Sequence, residues 1–335
     1  MTTFLDAAEV IKRGGAGDAT TQEAFDLFFK ARALLQEVHI KAHMDLFNIE
    51  AVLGAFEMAS LLGRFRGLDV EEVATLPVAA RRVIAATLER RIAFEHQADN
   101  QILPPTPYQA FVALLERIKK SPVGGVSVIT FNYDIALDYA LRYVPLAIDY
   151  CLGEAVPNAL PLMKLHGSLN WAQCASCGTV VPLLTDTYFT ARRILGRAAT
   201  GVFHLPITVD LKGLTHCGQP CLGDPLIVPP TWNKAQYHQT IGKVWQRAAA
   251  ELSEAENIIV VGYSLPASDE FFRYFFPLGI IGPNLIRRVI VCDLDPNVRQ
   301  RYEGLLSQAT RSRLDMQTGV FSQVLHGLDK RLGLS

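Results

Sequence analysis

Val126–Thr130 (VSVIT), the polar turn Phe131-Asn132-Tyr133-Asp134 and the helix-spaced Ile135–Arg142 (IALDYALR) set the pattern on which the rest of the chain is read. The first piece carries the β-branched residues that pack well on a pleated surface, and the last repeats apolar residues at helical spacing. Strand, polar turn and helix then recur. Leu160–Leu165 ends at His166-Gly167-Ser168, Asn257–Val261 at Gly262-Tyr263-Ser264-Leu265, and Arg288–Val291 at Cys292-Asp293. Runs this short and apolar, alternating with helices, predict buried parallel strands, so the fold class is α/β with a Rossmann-like doubly wound parallel sheet. In such sheets ligands bind outside the carboxyl ends of the strands. Four polar endings therefore predict one shared crevice.

Working outward, residues from about 20 to 120 show helical apolar spacing and abundant Ala, Leu, Glu and Arg. Asn48 is placed to cap a helix over Ile49–Leu62, and Gln101–Pro107 is a proline-rich break. The predicted organisation is a mainly helical N-terminal region over 1–125, a Rossmann-like core over 126–170 and 222–325, and a small zinc-ribbon-like insertion over 171–221. No internal repeat or low-complexity tract interrupts this order.

With 335 residues, half of them hydrophobic, the chain can bury a sizeable core. A formal net charge of −1 gives no global field toward nucleic acid or an anionic membrane. The short basic clusters at Glu89-Arg90-Arg91 and Arg287-Arg288 read as solvated helix or strand edges. Neither the N-terminus nor the apolar runs resemble a secretory leader or a membrane span, so a cytoplasmic setting is expected. The six cysteines are then reduced, which favours a metal site over disulfides.

Gly262 permits close backbone approach to a ligand, with the Ser264 hydroxyl available to a phosphate or ribose. Asp293 stands where dinucleotide folds put an acid against ribose hydroxyls, which favours NAD over NADP. It would equally serve as a helix N-cap before Pro296. Cys174-Ala175-Ser176-Cys177-Gly178 has the spacing and trailing glycine of a zinc knuckle, and Cys217 and Cys221 are placed to supply the other half. His216 is the alternative ligand. Cys151 and Cys292 read as buried thiols, and His204 and His238 as structural.

Thr130-Phe131-Asn132-Tyr133-Asp134 resembles the Thr-x-Asn-x-Asp block of the sirtuin-like family, and Lys164-Leu165-His166-Gly167-Ser168-Leu169-Asn170-Trp171 resembles its His-Gly segment. Asn48-Ile49-Glu50, Ile227–Lys234 and Gly262–Asp269 resemble further blocks of the prokaryotic, NAD-hydrolysing anti-phage defence branch. The resemblance implies NAD as substrate, His166 as general base, Asn132 orienting ribose and water, and Asp134 supporting the nicotinamide side. Thr130 would join the cofactor-binding set of Asn132, Asp134, Gly262, Ser264 and Asp293. A structural zinc module after the His-Gly segment is implied as well.

The implied activity is cleavage of NAD to nicotinamide and ADP-ribose, carried out beside a protein partner or as a homo-oligomer. NAD-dependent protein deacylation is the alternative, with no clear substrate-binding strand motif after Pro230 to support it. The family's Gly-Ala-Gly-x-Ser phosphate loop is matched only by Gly14-Gly15-Ala16-Gly17-Asp18-Ala19-Thr20, preceded by helical residues and carrying an acid that repels phosphate. Either that loop is degenerate, or the sequence starts after it. The third reading is accordingly a non-catalytic nucleotide-binding or interaction module.

Overall fold

The structure is a computed structural model that describes residues 3–38, 46–96, 102–121, 125–184, 201–228, 235–266 and 269–333. The chain forms two compact units, one of Met1–Ile102, Asn132–Ile135 and His166–Thr240, the other of Leu103–Phe131, Ala136–Leu165 and Ile241–Ser335. Elements are numbered in chain order.

In the first unit, helices α1 (Phe4–Gly14), α2 (Ala19–Val38) and α3 (Ile49–Leu62) pack on α4 (Val70–Arg91). Their starts are fixed locally. Thr3 with Asp6 and Asp69 with Glu72 form reciprocal capping boxes, and the Asn48 side chain accepts from the Glu50 amide as expected. Phe28 and Phe56, both fully buried, meet edge-to-face at 5.3 Å between α2 and α3. Two strands interrupt the region read as helical: β1 (Phe94–His96), and β2 (Ile102–Leu103) at the boundary between the units. β1 pairs antiparallel with β8 (Gly201–Phe203).

The glycine cluster joins α1 to α2 and follows a helix instead of a strand, with Gly15 and Gly17 at φ of 89° and 123°. It is packed, not slack. Ala16 is buried, its amide donates to Gln22 Oε1 at 3.0 Å, and its carbonyl accepts from Arg90 Nη2 at 2.6 Å. Glu89 and Arg90 are therefore not a solvated edge, because both are spent on neighbouring segments. Glu89 accepts from the Thr208 amide at 2.7 Å and the Thr208 hydroxyl at 3.0 Å, at the start of α7 (Thr208–Leu211). Burial raises its carboxyl above the ordinary value, opposed by the Thr208 hydrogen bonds. Among the described residues this unit also holds two hairpins, β6 (Trp171–Gln173) with β7 (Val180–Pro182) and β9 (Thr215–His216) with β10 (Gln219–Pro220).

The second unit contains the parallel strands. β3 (Val128–Thr130), β4 (Ile148–Asp149) and β5 (Leu160–Lys164) form one sheet in the order β3-β5-β4. β11 (Asn257–Val261), β12 (Arg288–Asp293) and β13 (Leu314–Thr318) form another, also parallel. The helices are α5 (Thr106–Lys120), α6 (Ala136–Tyr143), α9 (Glu270–Gly279), α10 (Val298–Leu305), α11 (Gln308–Arg311) and α12 (Phe321–Leu332). Helix α8 (Ala235–Glu254), kinked at Ile241, enters from the first unit.

β12 explains the winding. Val289 and Val291 join Phe272, Phe276, Val298 and Tyr302 of α9 and α10, whereas Ile290 and Cys292 join Leu114, Leu325 and Leu328 of α5 and α12. Alternate side chains thus enter cores on opposite faces, which is why this strand reads as an unbroken apolar run. Each fully buried Val or Ile contributes roughly 1.5–3 kcal/mol. Ile129 and Phe131 pack against the first of these clusters, and Phe131 stacks on Tyr263 at 4.6 Å. The parallel strands thus lie in two three-stranded sheets among the described residues.

A charged residue ends β5. Lys164 is 1% exposed and donates to Asp138 Oδ2 of α6 at 3.0 Å, while the Tyr150 hydroxyl donates to Asp138 Oδ1 at 2.6 Å. An ammonium in a core needs such a partner, because unpaired burial costs several kcal/mol.

Candidate functional site

In the second unit β3 and β5 end level, with Thr130 opposite Lys164 and the Leu165 amide donating to the Thr130 carbonyl at 2.9 Å. Both strands stop where the two candidate motifs begin.

In the first unit those motifs are bonded to each other. The Tyr133 carbonyl accepts from the Leu169 amide at 2.9 Å and lies 3.3 Å from Ser168 Oγ. The Tyr133 hydroxyl donates to the Val228 carbonyl at 3.0 Å, while the Val228 amide donates to the His166 carbonyl at 2.8 Å. The Tyr133 and His166 rings lie 6.0 Å apart, tilted by 31°. Tyr133 therefore holds Asn132 and Asp134, its chain neighbours, beside the His166 turn. Asn132 is exposed, Asp134 half-buried and His166 buried.

The turn itself is tied to the neighbouring strap through its backbone. Gly167 has φ of 82° and bridges antiparallel to Ile227, and the Ser168 amide donates to the Leu226 carbonyl. Ser168 and Asn170 are fully buried yet paired, with Ser168 Oγ donating to Asn170 Oδ1 at 2.6 Å and Asn170 Nδ2 donating to the Leu183 carbonyl at 3.0 Å. The block Ile227–Lys234 is described only as far as Val228, and the rest lies outside the described residues, as does the His238 side chain.

The other cofactor candidates, Gly262, Ser264 and Asp293, belong to the second unit and form their own linked set. Gly262, at φ of 65°, donates to the Cys292 carbonyl at 2.9 Å. Asp293 Oδ1 accepts from the Asp295 amide at 2.9 Å. Asp295 Oδ2 pairs with Arg301 Nη2 at 3.2 Å, and Arg301 Nη1 donates to the Ser264 carbonyl at 2.7 Å. Asp293 is not the N-cap of α10, a position taken by Asn297.

The cysteines converge at the tips of the two hairpins. Between β6 and β7, Gly178 donates to the Cys174 carbonyl at 3.0 Å with φ of 72°, closing a knuckle. Between β9 and β10, Cys217 and Gly218 both have positive φ, 53° and 69°, as a two-residue type I′ turn requires. Ligand atoms of Cys174, Cys177, His216 and Cys217 all lie within 4.8 Å of one another. His216 Nδ1 is 3.3 Å from Cys177 Sγ and 3.1 Å from Cys217 Sγ, and those sulfurs are 3.6 Å apart. A tetrahedral zinc ion with its usual bond lengths separates sulfur ligands by about 3.8 Å, so the group fits one with modest expansion.

Cys221 lies outside this set of four. It is buried, pairs with Cys174 through an isolated antiparallel bridge, and its thiol is raised by burial. The Cys177 thiol is held down to about 6, first by the Thr179 hydroxyl and then by the Thr179 amide. Cys151 and Cys292 are buried, with thiols pushed by burial to about 12 and about 11. His204 Nδ1 contacts the Ile92 carbonyl at 2.9 Å, a structural role.

Sequence reasoning named the strand-end residues without assigning work to Tyr133, Asp138, Arg301 or Tyr302. The Asp138 role had a signal, because a lysine closing a buried strand requires an acid nearby. The other three act through backbone carbonyls and leave none.

Among the described residues, no helix is long and apolar enough to cross a membrane. No family model matches the chain, and no curated protein does. Solved structures do. A Sir2 homologue in complex with NAD is 19% identical, with a TM-score of 0.40 over 88% of this chain and 96% of that one. A Sir2–p53 peptide–NAD+ complex is 14% identical, with a TM-score of 0.40 over 84% and 91%. A structure described as the structural basis for sirtuin substrate affinity is 13% identical, with a TM-score of 0.35 over 70% and 74%. Each is a distant likeness, and none assigns a role to a residue of this chain.

Proposed function

We propose that this protein binds NAD and cleaves it to nicotinamide and ADP-ribose. The observation that carries the reading is the Tyr133 anchor, which sets Asn132 and Asp134 beside the buried, backbone-fixed His166. Breaking the bond between ribose C1′ and the nicotinamide nitrogen sends the electron pair into the nicotinamide ring and leaves positive charge on the sugar, as in glycoside cleavage. Water then adds at C1′ and its proton passes to His166, so one water is consumed and one proton released. A neutral imidazole suits that step, and an exposed amide at Asn132 suits orienting the ribose and the water. Asp134 supports the nicotinamide side. Thr130, Gly262, Ser264 and Asp293 are further cofactor-binding candidates on the sequence resemblance.

A structural zinc ion at Cys174, Cys177, His216 and Cys217 is part of the same reading, with Cys221 adjoining it. Such an ion would tie the two hairpins together and take no part in the chemistry. The finer expectation of a defence effector acting with a partner or as a homo-oligomer rests on the sequence resemblance alone.

The deciding experiment incubates purified protein with NAD, with and without an acetyl-lysine peptide, and resolves the products. ADP-ribose and nicotinamide without peptide support hydrolysis. Acetyl-ADP-ribose formed only with peptide makes the protein a deacylase. No turnover in either case, with His166→Ala indistinguishable from the parent, leaves a non-catalytic nucleotide-binding module.

A further inference from the structure

Ser264 sits between two peptide groups that are held from the same side. The carbonyl of Tyr263 accepts from the Tyr302 hydroxyl at 2.9 Å, and the carbonyl of Ser264 accepts from Arg301 Nη1 at 2.7 Å. Arg301 and Tyr302 are consecutive residues of α10, and Tyr302 is fully buried. A third hold follows at the Leu265 carbonyl, which accepts from Arg273 Nη2 of α9 at 3.3 Å. Leu265 itself is buried at φ of 52°, a conformation that needs outside support in a residue with a side chain.

A trans peptide is planar, with its carbonyl and the next amide pointing in opposite directions. Fixing the Tyr263 carbonyl toward α10 therefore aims the Ser264 N–H away from α10. Fixing the Ser264 carbonyl sets the following plane. Ser264 is half-buried, and its side chain stands on this doubly clamped backbone. Arg301 is steadied in turn by Asp295, whose amide is bound by Asp293. The turn after β11 and the acid ending β12 are thus one hydrogen-bonded assembly.

We propose that Arg301 is a positioning residue for nucleotide binding, presetting Ser264 so that its amide and hydroxyl meet an oxygen of the ADP-ribose moiety. The inference rests on the NAD reading above. Arg301 touches no substrate in this scheme. It acts by removing the cost of ordering the turn when ligand arrives.

The test measures ADP-ribose affinity by titration calorimetry for the wild type, Arg301→Gln, Ser264→Ala and the double variant, with NAD turnover alongside. Arg301→Gln is expected to weaken ADP-ribose about tenfold, the effect of losing roughly one charge-assisted hydrogen bond, at unchanged stoichiometry. KM for NAD should rise with kcat unchanged, and the penalty should shrink in the Ser264→Ala background. Wild-type affinity in Arg301→Gln, or the same penalty in both backgrounds, overturns the proposal while leaving the NAD reading intact. Failure of the wild type to bind ADP-ribose overturns both. Should Arg301→Gln not fold, Asp295→Asn decides, with a loss of about threefold expected and an unchanged affinity overturning the proposal.

Discussion

A β-carbon placed on Gly167 would stand 2.1 Å from the carbonyl oxygen of Leu226. Two demands meet at this residue, because its φ of 82° disfavours any side chain and the neighbouring strap leaves no room for one. Gly167→Ala is expected to destabilise the protein by about 3 kcal/mol, combining left-handed strain with a backbone clash. Urea unfolding reads the loss. A variant within about 0.5 kcal/mol of the parent, the usual range for neutral surface changes, would mean that the strap at Leu226–Val228 yields.

His166 should carry turnover without carrying the fold. Replacing it by Gln keeps a polar group of similar reach in a buried position. The rate of NAD cleavage is expected to fall by about 10²–10⁴, the usual contribution of a general base. Circular dichroism should be unchanged. Full activity in this variant would remove the imidazole from the mechanism.

The metal site separates two sets of thiols. His216→Ala and Cys177→Ser should each lower bound zinc well below one equivalent, whereas Cys221→Ser should retain it. Elemental analysis of the purified variants decides. Loss of zinc in Cys221→Ser with retention in His216→Ala would establish the four-cysteine set that spacing alone suggests.

Glu89 offers a test by pH. Its carboxyl is raised from an ordinary value of 4.5 because burial penalises the charged form, so the folded state binds the proton more tightly than the unfolded chain. Stability therefore falls as pH rises from 4.5 through the folded value and stays reduced above it. Glu89→Gln keeps an acceptor for the Thr208 amide without the charge. It should raise Tm by a few degrees at pH 7, with the advantage vanishing near pH 4. A lower Tm than the parent at pH 7 would show that the Thr208 hydrogen bonds outweigh the desolvation.

The sequence made the strand ends legible because buried parallel strands must be apolar on both faces, and β5, β11 and β12 were each bounded to within a residue or two. β4 and β13 were missed for the converse reason. Ile148-Asp149 is too short to show a period, and Leu314–Thr318 mixes polar residues with few buried ones. The helical region was legible in kind, down to the Asn48 cap. The packing of Ala16 under Arg90 was not, since a backbone carbonyl can recruit an arginine from anywhere in the chain. For the site, residue types and spacing identified Asn132, Asp134 and His166. Tyr133, which joins them, works through its hydroxyl and its carbonyl, and a tyrosine in a turn advertises neither. At the cysteines, the type I′ turn puts Cys217 and His216 together, whereas counting thiols favoured Cys221.

Each half of the cysteine site is assembled by contacts only a few residues apart in sequence, the knuckle at Cys174–Gly178 and the tight turn at Cys217-Gly218. An ion joining Cys177 to His216 would close a loop across 39 positions. Its contribution would then lie in the denatured ensemble as much as in the native one. A covalent closure of that span removes chain entropy worth roughly 3–4 kcal/mol, and coordination acts in the same sense. Stripping the ion would leave both hairpins able to form, each on its own local contacts, and would remove only the link between them.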